Sequence, residues 1–217
     1  MDYETSFKFY CGLIKNGSFD NIVYVDNSSY PLSSLEKIAT DLLVRDKVEF
    51  ISYQSKVHPM NSRYFLEVNL IQYGMKNSKL INNSDNPMIW KITGRYFIKN
   101  ISKVIRNLDK DHNIYINFRN KPHKILDFYL VGFNKEGFEI LVQNLDSYEG
   151  TVDGEILLRK HLETLNQNKL KINSRFKVIP RIVGVRGHDN KSYNNFVNES
   201  KYFFRVIYNW IFPNTWI

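Results

Sequence analysis

Met88-Ile89-Trp90-Lys91-Ile92-Thr93-Gly94-Arg95-Tyr96 is the stretch on which the reading of the fold turns. Its first half is apolar and β-rich, with one charge at Lys91, and predicts a strand. Gly94 then tolerates any backbone angle, so Thr93-Gly94-Arg95 reads as the turn that ends it. Upstream, Asn21-Ile22-Val23-Tyr24-Val25 has the same form and runs into Asp26-Asn27-Ser28-Ser29. Short apolar runs bounded by polar turns suit strands buried on both faces, the habit of parallel sheets.

Working outward, residues 3–13 read as a helix stopped by Lys15-Asn16-Gly17. After Pro31, Leu32, Leu35, Ile38 and Leu42 fall on one helical face. A strand is expected over 48–53 and a helix over 63–76. Residues 97–108 read as helical, 114–118 and 128–131 as strands, and 136–143 and 155–165 as helices. An extended stretch over 176–185 leads to a last amphipathic helix over 193–210. Alternating strands and helices predict an α/β fold of Rossmann-related type, a mostly parallel sheet flanked by helices. One domain over 1–217 is expected, with 190–217 as a C-terminal amphipathic helical appendage. In such sheets ligands bind beyond the carboxyl ends of strands. Asp26-Asn27-Ser28 and Thr93-Gly94-Arg95 occupy two such ends and are read as parts of one site.

Composition narrows the function classes. The 217 residues are 43% hydrophobic, enough for a full core, and carry a net charge of +8, which favours anionic partners. Lys and Arg are scattered rather than gathered in a stripe, and no RNA-binding motif is present, so nucleic acid is not an expected partner. The single Cys11 excludes an internal disulfide framework and a Cys-based zinc site. No apolar run reaches the roughly eighteen residues of a membrane span. The first residues, Met1-Asp2-Tyr3-Glu4, lack the basic-then-apolar layout of a signal peptide, so a cytoplasmic location is expected. No P-loop, Gly-X-Gly-X-X-Gly or Ser-His-Asp pattern points to a kinase, a dinucleotide oxidoreductase or a hydrolase.

The order of these segments resembles a group of bacterial capsule and lipopolysaccharide glycosyltransferases with a GT-A-like fold. The resemblance rests on Val25-Asp26-Asn27-Ser28, on Glu67 ahead of Tyr73 and Asn77-Ser78, and on Trp90-Lys91-Ile92-Thr93-Gly94-Arg95-Tyr96 followed by Asn100. Asp127, Asp153-Gly154-Glu155 and Arg181-Ile182-Val183-Gly184-Val185 with Gly187 complete it, and Lys-Ile-Thr-Gly-Arg-Tyr is its most specific string. The chain begins within what resembles the helix after the first strand of that fold, so either that strand is missing or an in-frame upstream segment encodes it. The resemblance implies transfer of a sugar from a nucleotide-diphosphate donor to a glycan or lipid-linked acceptor in surface polysaccharide synthesis.

The same resemblance places Thr93-Gly94-Arg95 where most such enzymes hold a metal through carboxylates. Lys91 or Arg95 is the candidate for offsetting phosphate charge instead, Arg through its bidentate fork. Thr93, Gly94 and Tyr96 accompany them, and Asp26, Asn27 and Ser28 are candidates for holding the nucleoside or donor sugar. The alternatives are a turn in which Arg95 pairs with a carboxylate such as Glu67, and an Asx-type turn at Asp26. An inverting transfer needs a carboxylate base; Glu155, Asp153 and Asp127 are the candidates, against a helix cap as the plain reading of the first two. Arg186, Gly187 and His188 form a candidate loop for acceptor or diphosphate. Asp109-Lys110-Asp111 reads as a solvated turn, so no metal-ligand set is expected, with manganese or magnesium entering only alongside the nucleotide sugar. The aromatic tail from Tyr202 to Phe212 reads as a packing helix, with peripheral inner-membrane contact as the second option. A noncatalytic nucleotide- or RNA-binding module, or a degenerate glycosyltransferase subunit, stands as the alternative function.

Overall fold

The structure is a computed structural model that describes residues 2–28, 31–54, 63–121, 123–143, 154–165, 170–185, 192–193 and 195–212. The chain divides into two compact units, Tyr3–Pro87 with Val142–Gly154, and Met88–Leu141 with Glu155–Ile217.

The first unit contains α1 (Asp2–Lys15), β1 (Ile22–Asp26), α2 (Ser33–Asp41), a 3₁₀ turn at Arg45–Lys47, β2 (Val48–Ser52), α3 (Arg63–Asn77) and the single-turn α4 (Lys79–Asn82). β1 and β2 pair in parallel, Ile22 opposite Val48 through Asp26 opposite Ser52. Phe7, Cys11 and Ile14 recur at helical spacing on α1 and bury against Leu35 and Ala39 of α2 and against Val44 and Val48. The Phe7 ring lies 5.6 Å from both the Tyr24 and Phe50 rings, which ties α1 to both strands. Gly74 stands within α3 for a packing reason: a Cβ there would stand 2.7 Å from Val25 Cγ2. Glu49 of β2 closes the start of α4, accepting from Ser78 Oγ at 2.6 Å and from the Lys79 and Leu80 amides at 3.0 and 3.1 Å.

The second unit contains β3 (Ile89–Ile92), β4 (Tyr96–Ile98), α5 (Ile101–Arg106), β5 (Ile114–Arg119), β6 (Ile125–Phe133), α6 (Lys135–Val142), α7 (Gly154–Thr164), β7 (Ile172–Asn173), β8 (Ile182–Gly184) and α8 (Phe196–Ile211). Four strands form one sheet in the order β3-β6-β5-β7. β6 runs antiparallel to both β3 and β5, whereas β5 and β7 are parallel. β4 and β8 make a separate antiparallel pair. Leu126, Leu130, Ile114 and Ile116 are fully buried in the sheet, and Leu158 and Leu162 of α7 are equally buried. Gly132 leaves room for aromatic rings: a Cβ would meet Trp90 Cζ3 at 2.7 Å, and the Trp90 and Tyr115 rings sit 5.5 Å apart.

The α/β class stands, but the expected mostly parallel sheet is corrected to small, mixed sheets. An unbroken apolar run reports that both faces of a strand are covered and says nothing of its direction. β5 and β6 are largely apolar and buried, with Asn117 and Asp127 facing each other inside them, and the short connection between them turns the chain back antiparallel. The helix expected over 97–108 begins only at Ile101, because Tyr96, Phe97 and Ile98 pair with Gly184, Val183 and Ile182. Asn100 locks that boundary: its Oδ1 accepts from the Arg181 amide at 2.8 Å and its Nδ2 donates to the Ile179 carbonyl at 2.9 Å.

Candidate functional site

The Trp90–Tyr96 segment enters the second unit as β3, turns at Thr93-Gly94-Arg95 and continues as β4. Lys91 points into the protein. Its ammonium donates to the Phe128 carbonyl, lies 4.2 Å from the centre of the Phe128 ring and reaches Thr93 Oγ1 at 3.5 Å. Glu155, in the first turn of α7, accepts from the Phe128 amide at 3.3 Å through Oε1. A carboxylate there also complements the positive end of the helix dipole. Lys91, Thr93 and Glu155 are thus gathered around one residue of β6.

The residue before Phe128 is Asp127, which is 7% exposed. Arg119 Nε stands 2.9 Å from its Oδ1, and Asn117 Nδ2 donates to its Oδ2 at 2.7 Å. Burial pushes the Asp127 carboxyl above the usual carboxylate range, against the opposing pull of Arg119, Asn117 and Arg205. Tyr129, two residues on, is held well above the ordinary phenol range by burial first and then by the Asp127 charge. Strand alternation puts Asp127 and Tyr129 on one face, and a register shift between Tyr115 and Asn117 brings Asn117 opposite Asp127. Tyr96 joins this face, its ring 6.4 Å from Tyr129 and 6.0 Å from Tyr193. Asn117 Oδ1 is buried without a hydrogen-bond partner among the described residues.

The Arg181–Val185 segment packs directly on the Thr93–Tyr96 turn. Gly184, at φ +128°, lies opposite Tyr96, and a Cβ there would stand 2.7 Å from the Arg95 carbonyl oxygen and 2.8 Å from Tyr96 Cα. Only glycine combines that backbone angle with so close an approach. Gly94 and Arg95 are half-buried in the turn itself.

Asp26, Asn27 and Ser28 belong to the first unit. There the Ser28 amide donates to Asp26 Oδ2 at 3.0 Å and the Ser28 hydroxyl lies 2.9 Å from both carboxylate oxygens, an Asx-type turn closing β1. Asn27 is exposed. Asp153, Arg186, Gly187 and His188 lie outside the described residues. Asp109 forms a surface ion pair with Lys177 at 2.5 Å, so Asp109-Lys110-Asp111 is a solvated turn. Among the described residues no three His, Cys, Asp or Glu side chains gather as metal ligands.

Asn117, Arg119, Tyr129 and Arg205 are the members of this cluster that sequence reasoning passed over. Their signal was present in part: polar residues at i and i+2 inside the apolar run Ile114–Arg119 mark one face that must be satisfied internally. The partnership with Asp127 needed the register shift, which no local pattern announces. No known protein family, curated protein or solved structure matches this chain.

Proposed function

We propose that this chain transfers a sugar from a nucleotide-diphosphate donor to a glycan acceptor of surface polysaccharide synthesis, on a GT-A-like scaffold. One observation carries the reading. Those segments of the glycosyltransferase resemblance that lie in the second unit, far apart in sequence, come together there: Tyr96 pairs with Gly184, while Lys91 and Glu155 converge on Phe128.

Within this reading the cationic tasks divide. Lys91 is committed to the Phe128 carbonyl and ring, and positions the end of β3. Arg95, in the turn beyond it, is the guanidinium that offsets the departing diphosphate. Glu155 is the base: it sits half-buried at a helix start with Oε1 on the Phe128 amide, whereas Asp127 is buried beside Arg119 and Asn117. In a direct displacement the acceptor hydroxyl oxygen bonds the anomeric carbon and its proton passes to the Glu155 carboxylate. The bond from that carbon to the diphosphate breaks, and its electron pair leaves with the nucleotide.

Titrating a panel of nucleotide sugars by calorimetry, with manganese and with chelator, tests this. Binding of at least one nucleotide sugar, retained in chelator, is expected. A chain that binds free nucleotides or RNA but no nucleotide sugar is a noncatalytic module instead. One that binds none of them is not a glycosyltransferase.

A further inference from the structure

Helix α8 is amphipathic with its apolar side turned outward. Its inward face is polar: Glu199 pairs with Arg181 at 2.7 Å, Tyr202 lies under the Arg181 guanidinium, and the Arg205 charge acts on Asp127 and Tyr129. Its outward face holds Phe196 at 86% exposure, Phe204 at 61%, Ile207 at 57% and Trp210 at 83%, with Phe203 and Ile211 more than half exposed. At a hundred degrees per residue these positions fall within about a third of the helix circumference. No residue of α8 is buried. A monomer in water seldom leaves so large a continuous apolar strip uncovered.

The charge around the strip decides what covers it. An open groove of about 500 Å³ beside it is lined by Phe196, Val197, Phe204 and the cations Lys121, Lys201 and Arg205. The acidic residue of α8, Glu199, is taken up by Arg181. A second copy laid on this face would oppose its own lysines to these, in a chain already at +8. An anionic bilayer offers the complement: phosphates for Lys121 and Lys201, and an apolar boundary for the Phe, Ile and Trp side chains. No helix among the described residues is long and apolar enough to cross a membrane, so contact is peripheral.

We propose that the outward face of α8, with Lys121 and Lys201, is a docking face for an anionic lipid surface. The inference stands on the exposed face alone and is independent of the sugar-transfer reading.

The test is co-sedimentation of the full chain with vesicles of phosphatidylcholine alone and of phosphatidylcholine with phosphatidylglycerol. The chain sediments with the anionic vesicles, less with neutral ones, and added salt weakens the association. The double variant Phe204→Asp with Ile207→Asp lowers anionic binding on the order of tenfold or more, with circular dichroism unchanged because both side chains are exposed. Lys201→Glu weakens binding to anionic vesicles and leaves the weak neutral binding as it was. On vesicle binding, tryptophan emission shifts to the blue in the wild type and not in Trp210→Phe. A wild-type chain that stays in solution with anionic vesicles overturns the proposal, as does binding indifferent to the aspartate pair. A dimer in light scattering that the same pair converts to monomer, with vesicles ignored, assigns the face to a second copy.

Discussion

Arg95 carries the sharpest functional expectation at the scale of single residues. It lies half-buried in the Thr93–Arg95 turn, and in the proposed sugar transfer its guanidinium is the group that meets the diphosphate. Arg95→Ala should weaken nucleotide-sugar binding on the order of tenfold, read by calorimetry, while the thermal midpoint stays near that of the wild type. A variant that unfolds instead makes Arg95 a structural residue. Asp127 makes a separate, pH-dependent prediction. Its folded-state pKa is raised, so between the unfolded value of about 4 and the raised value the folded chain holds a proton that the unfolded chain has lost. Stability therefore falls as pH rises through that window. Asp127→Asn should flatten this fall in denaturation midpoints measured against pH. Arg119→Met, which leaves the buried carboxyl without its cation, should cost about 3 kcal/mol.

Among the elements, the β4–β8 pair is the most sensitive to a small change. Gly184→Ala would place a methyl against the Arg95 carbonyl at a backbone angle that alanine resists. A loss of about 2 kcal/mol or more is expected in urea denaturation, together with weaker donor binding because the Thr93–Arg95 turn rests on that residue. A neutral Gly184→Ala would mean that the pairing is loose. In the first unit, burial acts to raise the pKa of Glu49, but the Ser78 hydroxyl and the Lys79 and Leu80 amides outweigh it and hold the carboxyl below its usual range. The stability it contributes is present above the unfolded value of about 4.3 and is lost as pH falls through the folded one. Glu49→Gln should cost about 1 kcal/mol at neutral pH and show a shallower loss of stability on acidification, again in denaturation midpoints.

On the scale of the whole molecule, Cys11 is the single thiol in the chain, fully buried in the first unit, where burial pushes its pKa to about 11. A disulfide reagent at neutral pH should modify it only as that unit opens, so its reaction rate should rise through the denaturation transition; rapid reaction in native buffer would mean an open core. Much of the element order was legible beforehand, because helical spacing such as Phe7, Cys11 and Ile14, and short β-rich runs such as Ile22–Asp26, are local signals. The presence of Lys91 at a strand end and of Glu155 at a helix start was legible for the same reason. Strand direction was not, since burial on both faces looks alike in parallel and antiparallel sheets, and the hairpin joining β5 to β6 decides it. That Lys91 and Glu155 meet at Phe128, and that Asn117 and Arg119 close on Asp127, depends on register between distant strands. The outward turn of α8 had the same origin: its amphipathic pattern was plain in sequence, but which side faces the protein is settled by Glu199 pairing with Arg181 and by the charge of Arg205 acting on the buried Asp127. Local sequence, then, determined where helices and strands form, because backbone propensity and side-chain periodicity act over a few residues. Tertiary structure alone decided how they pair and which charges meet, because those energies arise between residues that the chain brings together only on folding.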